Sequence, residues 1–154
     1  MAEQIFETTN EAETGRMARA LAKGLRPGDF VALSAPLGAG KTVIAREIIR
    51  ELIGEDIEVP SPTFSLVQHY AANPPITHAD LYRLDDPSEV MELGLEDMLD
   101  DGVLLVEWPE HGEGFLPSAT LRIVGSGGDG NRRVWTISGD QSLLAQVKEG
   151  LWRA

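Results

Sequence analysis

The chain has 154 residues, 42% of them hydrophobic, with no cysteine and a formal charge of −12 from 13 basic and 25 acidic side chains. That length suits a single domain spanning 1–154 with a real core, and the lack of cysteine excludes disulfides and thiolate metal sites and fits an intracellular protein. The acidic balance argues against a protein that itself grips nucleic acid; no run reaches the roughly 18 apolar residues of a membrane span, and Met1-Ala2-Glu3-Gln4 does not open as a secretory signal.

In chain order, Ile5 to Thr8 predicts a short first strand. Thr9 or Asn10 can cap a helix, with Glu13 at capping-box distance from Asn10. Thr14, Met17, Ala18, Leu21 and Leu25 then share one helical face. A turn at Arg26-Pro27-Gly28-Asp29 leads into Phe30-Val31-Ala32-Leu33-Ser34, a buried strand. A glycine-rich loop follows. Ile44, Ala45, Ile48, Ile49, Leu52 and Ile53 mark the next helix, which Gly54 ends. Phe64 to Tyr70 and Ile76 to Leu81 read as strands joined by a turn at Asn73-Pro74-Pro75. Pro87 to Leu99 reads as one or two short helices broken near Gly94. Val103-Leu104-Leu105-Val106 is apolar throughout, as a central strand is. Ala119 to Val124 and Arg133 to Ser138 alternate polar and apolar, and Gly125 to Gly130 reads as a flexible hairpin loop between them. Asp140 caps a last helix carrying Leu143, Leu144, Val147 and Leu151. Strands and helices alternate early and hairpin strands come late, so the expected fold is an α/β core with antiparallel additions.

The informative segment is Leu37-Gly38-Ala39-Gly40-Lys41-Thr42. Glycines let the backbone curl so that successive N–H groups point at phosphate oxygens, and the helix that follows adds its positive N-terminus. Lys41 is expected to reach the β- and γ-phosphates of a nucleoside triphosphate, and the Thr42 hydroxyl to ligate magnesium. Ala35-Pro36 departs from the pattern G-x-x-x-x-G-K-[ST] at its first glycine, which leaves the shape of the loop's start open.

Other constellations gain meaning from this loop. Glu107 ends the apolar strand that should lie beside it, where a carboxylate binds magnesium directly or through water. Trp108 reads as packing. Ser61-Pro62-Thr63 is a proline-stiffened pair of hydroxyls, either a γ-phosphate-sensing switch or a plain turn. In His78-Ala79-Asp80-Leu81-Tyr82-Arg83, Asp80 is a candidate for holding the attacking water or a magnesium-bound water. His78 is the weaker candidate, and Arg83 is open between serving the phosphates in cis and pairing with the nearby acids. Asp85 to Asp101 carries eight carboxylates and no Lys or Arg. It is either a solvated face or a docking surface for a basic partner.

Together SAPLGAGKT, SPTFSLVQHY, HADLYRL and LLVEWPEHG, in this order and spacing, resemble the TsaE (YjeE) ATPases of bacteria over about Gly28 to Pro117. The departures are Ala35-Pro36, where the family commonly has Gly-Asp, and Ala79, where a Phe is common. The resemblance implies a P-loop NTPase-like three-layer fold, its parallel sheet core flanked by antiparallel strands. It implies a cytoplasmic ATPase that binds ATP or ADP with Mg2+ and supports threonylcarbamoyl modification of the adenosine beside the tRNA anticodon. The implied partners are TsaD and TsaB, with tRNA met only through them. It makes Lys41 and Thr42 phosphate and magnesium contacts, Glu107 the magnesium carboxylate and Asp80 a residue needed for hydrolysis. It puts the adenine near the start of the first helix and the late hairpin, where Thr9 and Arg132 are candidates, without separating Arg132 from Arg133. Two rivals stay open: a small-molecule kinase on the same scaffold, and a nucleotide sensor that does not hydrolyse.

Overall fold

A computed structural model describes residues 2–36, 38–60, 66–127 and 130–152. Its strands are β1 (Ala2–Thr8), β2 (Phe30–Ser34), β3 (Val67–Tyr70), β4 (Ile76–Asp80), β5 (Val103–Glu107), β6 (Leu121–Gly127) and β7 (Arg133–Gly139). Its α-helices are α1 (Glu11–Ala22), α2 (Lys41–Ile53) and α3 (Gln141–Trp152). All seven strands join one sheet in the order β1-β7-β6-β2-β5-β4-β3. The central four, β6, β2, β5 and β4, run parallel, and β1, β7 and β3 are antiparallel additions.

Strands β2 and β5 are apolar up to their last residue, as strands covered on both faces of a sheet are. On one face Val31, Leu33, Val103 and Leu105 pack under α1, α2 and α3 with Met17, Leu21, Ile44, Ile48 and Val147. On the other, Phe30, Ala32, Leu104 and Val106 meet Leu81, Val90 and Leu95. This second cover is made of short 3₁₀ turns, Pro87–Leu93 and Glu96–Asp100, with Gly94 in the left-handed region between them. The break expected near Gly94 is there, but the pieces are 3₁₀ rather than α. Each is only one or two turns long, the length at which 3₁₀ geometry is common.

Helix α1 starts as a capped helix should. The Asn10 side chain accepts from Glu13 N at 2.8 Å, a device worth about 1 kcal/mol. The return bond differs from the simplest capping box: Glu13 Oε1 accepts from the backbone N–H and hydroxyl of Thr9, one residue earlier. Gly54 closes α2 in the left-handed conformation, and Asp140 caps α3 through Ser142 N and Leu143 N. Glu47 on α2 gathers Arg19 of α1 and Arg46 and Arg50 of its own helix within 3.2 to 3.9 Å, and Arg46 also reaches Glu11 at 2.9 Å, so Arg19 and Arg46 tie α1 to α2.

Two expected boundaries move. Val67 opens β3, and the earlier part of the expected strand, from Phe64, falls partly outside the described residues. The sequence predicts loop from Gly125, whereas β6 continues through Gly127. The physical reason is Trp135, which lies opposite Gly125 across the β6–β7 ladder. A Cβ on Gly125 would collide with the indole ring, so this glycine makes room for an aromatic cross-strand neighbour rather than for a turn.

Candidate functional site

Strands β2, β5 and β4 end at the same edge of the sheet. Leu33 pairs with Glu107 and Asp80 pairs with Glu107, so the chain leaves β2 for its loop directly beside two carboxylates. Open α/β sheets place their ligand clefts at this carboxyl edge. Here a cleft of about 450 Å³ is lined by Gly38, Gly40, Lys41, Thr42, Asp80 and Glu107, together with Asn10, Glu11, Thr14, Trp108, Asn131 and Arg133.

Two described glycines of the loop take the left-handed conformation that favours glycine. Gly40, at φ 106°, is the left-handed residue from which α2 starts, and a Cβ there would approach Trp135 at 3.4 Å. Gly38 is also left-handed. Ala35 needs no such conformation: among the described residues Trp108 is the one non-glycine with positive φ, at 56°. The start of the loop is instead tied by Pro36 O accepting from Ala39 N at 3.2 Å, and by Ala35 O accepting from the Lys41 ammonium. Leu37, expected to contribute to the loop, lies outside the described residues, as does the Ser61-Pro62-Thr63 segment.

Lys41 is buried, and its Nζ stands 3.5 Å from the centroid of the Trp108 ring. Burial pulls its pKa down, while Glu107, Asp80 and Glu110 pull it back up. Trp108 in turn stacks on His111 with 5.3 Å between ring centroids and leans on Tyr82 at 5.0 Å. The expectation that Trp108 merely packs is therefore incomplete, since the same ring packs and faces the lysine. Asp80 is half-buried and accepts from Tyr82 N at 3.0 Å. Burial raises its pKa, the Tyr82 N–H lowers it, and the neighbouring Glu107 raises it again. Glu107 is buried, with Oε2 2.6 Å from Nε2 of His78.

The oxygen donors gathered here are hard: the Thr42 hydroxyl and the carboxylates of Glu107 and Asp80. That is the donor chemistry of magnesium, which takes one or two carboxylates and completes its octahedron with waters and phosphate oxygens. Among the described residues no three His, Cys, Asp or Glu side chains form an all-protein cage, and magnesium does not require one.

Two sequence candidates stand apart from the cleft lining. Thr9 is held by Glu13. Arg132 turns outward onto Glu7, Nε to Oε1 at 2.7 Å. Its neighbour Arg133 takes the inward place. Arg133 Nε donates to Ala39 O at 3.1 Å and its Nη2 to Gly38 O at 3.4 Å, so it bridges the hairpin to the loop. Strand parity explains the difference: Arg133 shares the face of buried Trp135 and Ile137, two and four residues on. Counting back from those apolar positions was the available signal. Asn10 and Thr14 line the cleft where Thr9 was expected. Thr14 is buried and bonded at 2.7 Å to Thr8, which accepts from Trp135 Nε1 at 3.2 Å. Arg83 is exposed and outside the lining.

A parallel-centred α/β sheet with a glycine loop, lysine and threonine opening a helix at its carboxyl edge is a P-loop NTPase-like fold. Residues 8–134 match the family described as "Threonylcarbamoyl adenosine biosynthesis protein TsaE", and the chain belongs to that family. Among proteins named "tRNA threonylcarbamoyladenosine biosynthesis protein TsaE", that of Rickettsia felis is 42% identical over 139 residues, 88% of this chain and 81% of its own. That of Bacillus subtilis is 39% identical over 121 residues, 77% and 75% of the two chains. The crystal structure of YdiB from Bacillus subtilis superposes with a TM-score of 0.75 at 28% identity, covering 99% of this chain and 95% of that one.

Proposed function

We propose that this chain binds ATP with Mg2+ and hydrolyses it to ADP, and that this ATPase activity sustains threonylcarbamoylation of the adenosine next to the tRNA anticodon. In this reading it works in the cytoplasm with TsaD and TsaB, and meets tRNA only through them. One observation carries the proposal: Gly40, Lys41 and Thr42 share a single cleft with Asp80 and Glu107. The family's name and its relatives' names supply the pathway.

Each residue then has a role. The loop's backbone N–H groups and the first turn of α2 receive phosphate oxygens. Lys41 sets its charge against the β- and γ-phosphates. Thr42 and Glu107 would hold magnesium, which when bound neutralises charge on the β- and γ-oxygens. Asp80, at the cleft's carboxylate end, orients the attacking water and takes up its proton. Among the described residues arginine is scarce at the cleft: Arg133 is engaged by loop carbonyls and Arg83 lies outside the lining. A phosphate-loop site without a free arginine hydrolyses slowly until a partner completes or orders it. The exposed acids of the 85–101 segment offer such a partner a surface to dock on.

The test is phosphate release from ATP by the chain alone and with TsaD and TsaB. A slow basal rate and a clear rise with the partners are expected. Full activity without response to them overturns assembly-dependent hydrolysis. No release under any condition leaves a nucleotide sensor, and label transferred to a metabolite hydroxyl makes the protein a kinase.

A further inference from the structure

His78 lies on β4 with 2% of its surface exposed, on the strand face it shares with Ile76 of the helix-side core. It pairs across the ladder with Leu105, while Asp80 pairs with Glu107, so its ring reaches diagonally to Glu107. The Nε2–Oε2 distance is 2.6 Å. A carboxylate only accepts, so Nε2 carries the proton of this bond. Nδ1 is buried and has no hydrogen-bond partner among the described residues. A histidine kept for packing satisfies both nitrogens or gives way to an apolar residue, since an unpaired buried polar atom is destabilising. Val103, Leu104, Leu105 and Val106 on the next strand show how readily this region accepts apolar side chains. The whole hydrogen-bonding capacity His78 uses is directed at one carboxylate oxygen on the cleft.

We propose that His78 is the positioning residue for Glu107. It fixes Oε2, leaves Oε1 for the cleft, and so sets how tightly magnesium is taken up with the nucleotide. The inference rests on the reading of the cleft as a magnesium–nucleotide site. A glutamate has three rotatable side-chain bonds, and a bond from an immobile buried ring removes that freedom before the metal arrives. Hydrogen-bonding partners of metal-binding side chains commonly govern metal affinity by about 10- to 100-fold.

Binding of a fluorescent ADP analogue to the full chain, titrated with magnesium, gives the half-saturating metal concentration without any turnover. His78→Leu is expected to raise that concentration about 10- to 100-fold and leave magnesium-free nucleotide affinity as it was. His78→Gln, whose amide donates from roughly the place of Nε2, restores the wild-type value; the shorter His78→Asn does not. In a Glu107→Ala background His78→Leu adds nothing further. Wild-type metal dependence in His78→Leu overturns the proposal, and so does an undiminished effect without Glu107. Thermal melts check that His78→Leu folds. Where it does not, the Gln and Asn variants decide, and equal behaviour of the two overturns the proposal. Should the wild type itself bind the analogue equally with magnesium and with chelator, the reading of the cleft fails, and the proposal with it.

Discussion

Lys41 holds its ammonium 3.5 Å from the centre of the Trp108 ring while donating to the carbonyl of Ala35. The first residue of α2 is thus wedged between its own loop and the aromatic that follows Glu107. Lys41 is buried there, so the compact ammonium fits in less space than the larger guanidinium would need.

Lys41→Ala is expected to weaken binding of a non-hydrolysable ATP analogue by about 1.5–3 kcal/mol, the worth of a hydrogen bond to a charged group. Lys41→Arg keeps the charge yet should recover only part of the loss, because the larger guanidinium must displace the loop or the Trp108 ring to enter the same buried place. Titration calorimetry measures both. Unchanged affinity in Lys41→Ala would remove the loop from the site.

Arg132 and Arg133 separate two faces of one hairpin. Arg133→Ala removes the bonds to Ala39 O and Gly38 O and should loosen the loop, weakening nucleotide binding by about 1 kcal/mol for each bond lost. Arg132→Ala removes only an exposed ion pair with Glu7, of the kind that contributes little. Equal losses in the two variants would contradict this division.

Gly125→Ala should lower stability by about 1–3 kcal/mol, the usual cost of overpacking. The added methyl meets the Trp135 ring and lies 3.0 Å from the Ala35 side chain at the loop's start. The backbone is not the obstacle, because φ at Gly125 is outside the left-handed range. Trp135 is fully buried, so its ring can move aside only by disturbing the side chains packed around it. A thermal melt of Gly125→Ala that matches the wild type would show that the ring shifts freely.

How much was legible in the sequence follows from what each feature depends on. The strand, loop and helix from Phe30 to Ile53 depend on local rules — apolar run, glycine loop, helical periodicity, closing glycine — and their bounds were readable. Glu107 and Asp80 were readable as strand-end carboxylates; their adjacency is a matter of ladder register, which spacing does not reveal. Trp108 escaped because a left-handed tryptophan has no local signature; its φ follows from the turn into Pro109–Gly112. His78 ranked as the weaker candidate because its partner is 29 residues away. The glycines after Val124 misled because glycine marks both loops and close aromatic neighbours, and only the register with Trp135 tells the two apart.

Asp80 offers the sharpest separation of chemistry from stability. Its pKa is raised chiefly by burial, with Glu107 adding to the shift. A carboxyl whose folded pKa lies above its unfolded value binds its proton more tightly in the fold. Its charge therefore opposes folding above both values, and that opposition fades as pH falls through the carboxylate range. Asp80→Asn removes the charge, keeps the size, and keeps an oxygen for the N–H of Tyr82. At neutral pH the variant should melt no lower than the wild type, and by linkage its advantage should shrink on acidification. Nucleotide binding should persist, since a negative charge beside the phosphates is lost and no contact to them is. Hydrolysis should fall by about 10²–10⁴-fold if Asp80 takes the proton of the attacking water, the range for losing a general base. Melting curves across pH, titration with an ATP analogue, and partner-stimulated phosphate release measure the three quantities separately. A variant that hydrolyses ATP at the wild-type rate removes Asp80 from the chemistry, and one that melts lower without binding nucleotide makes its role structural.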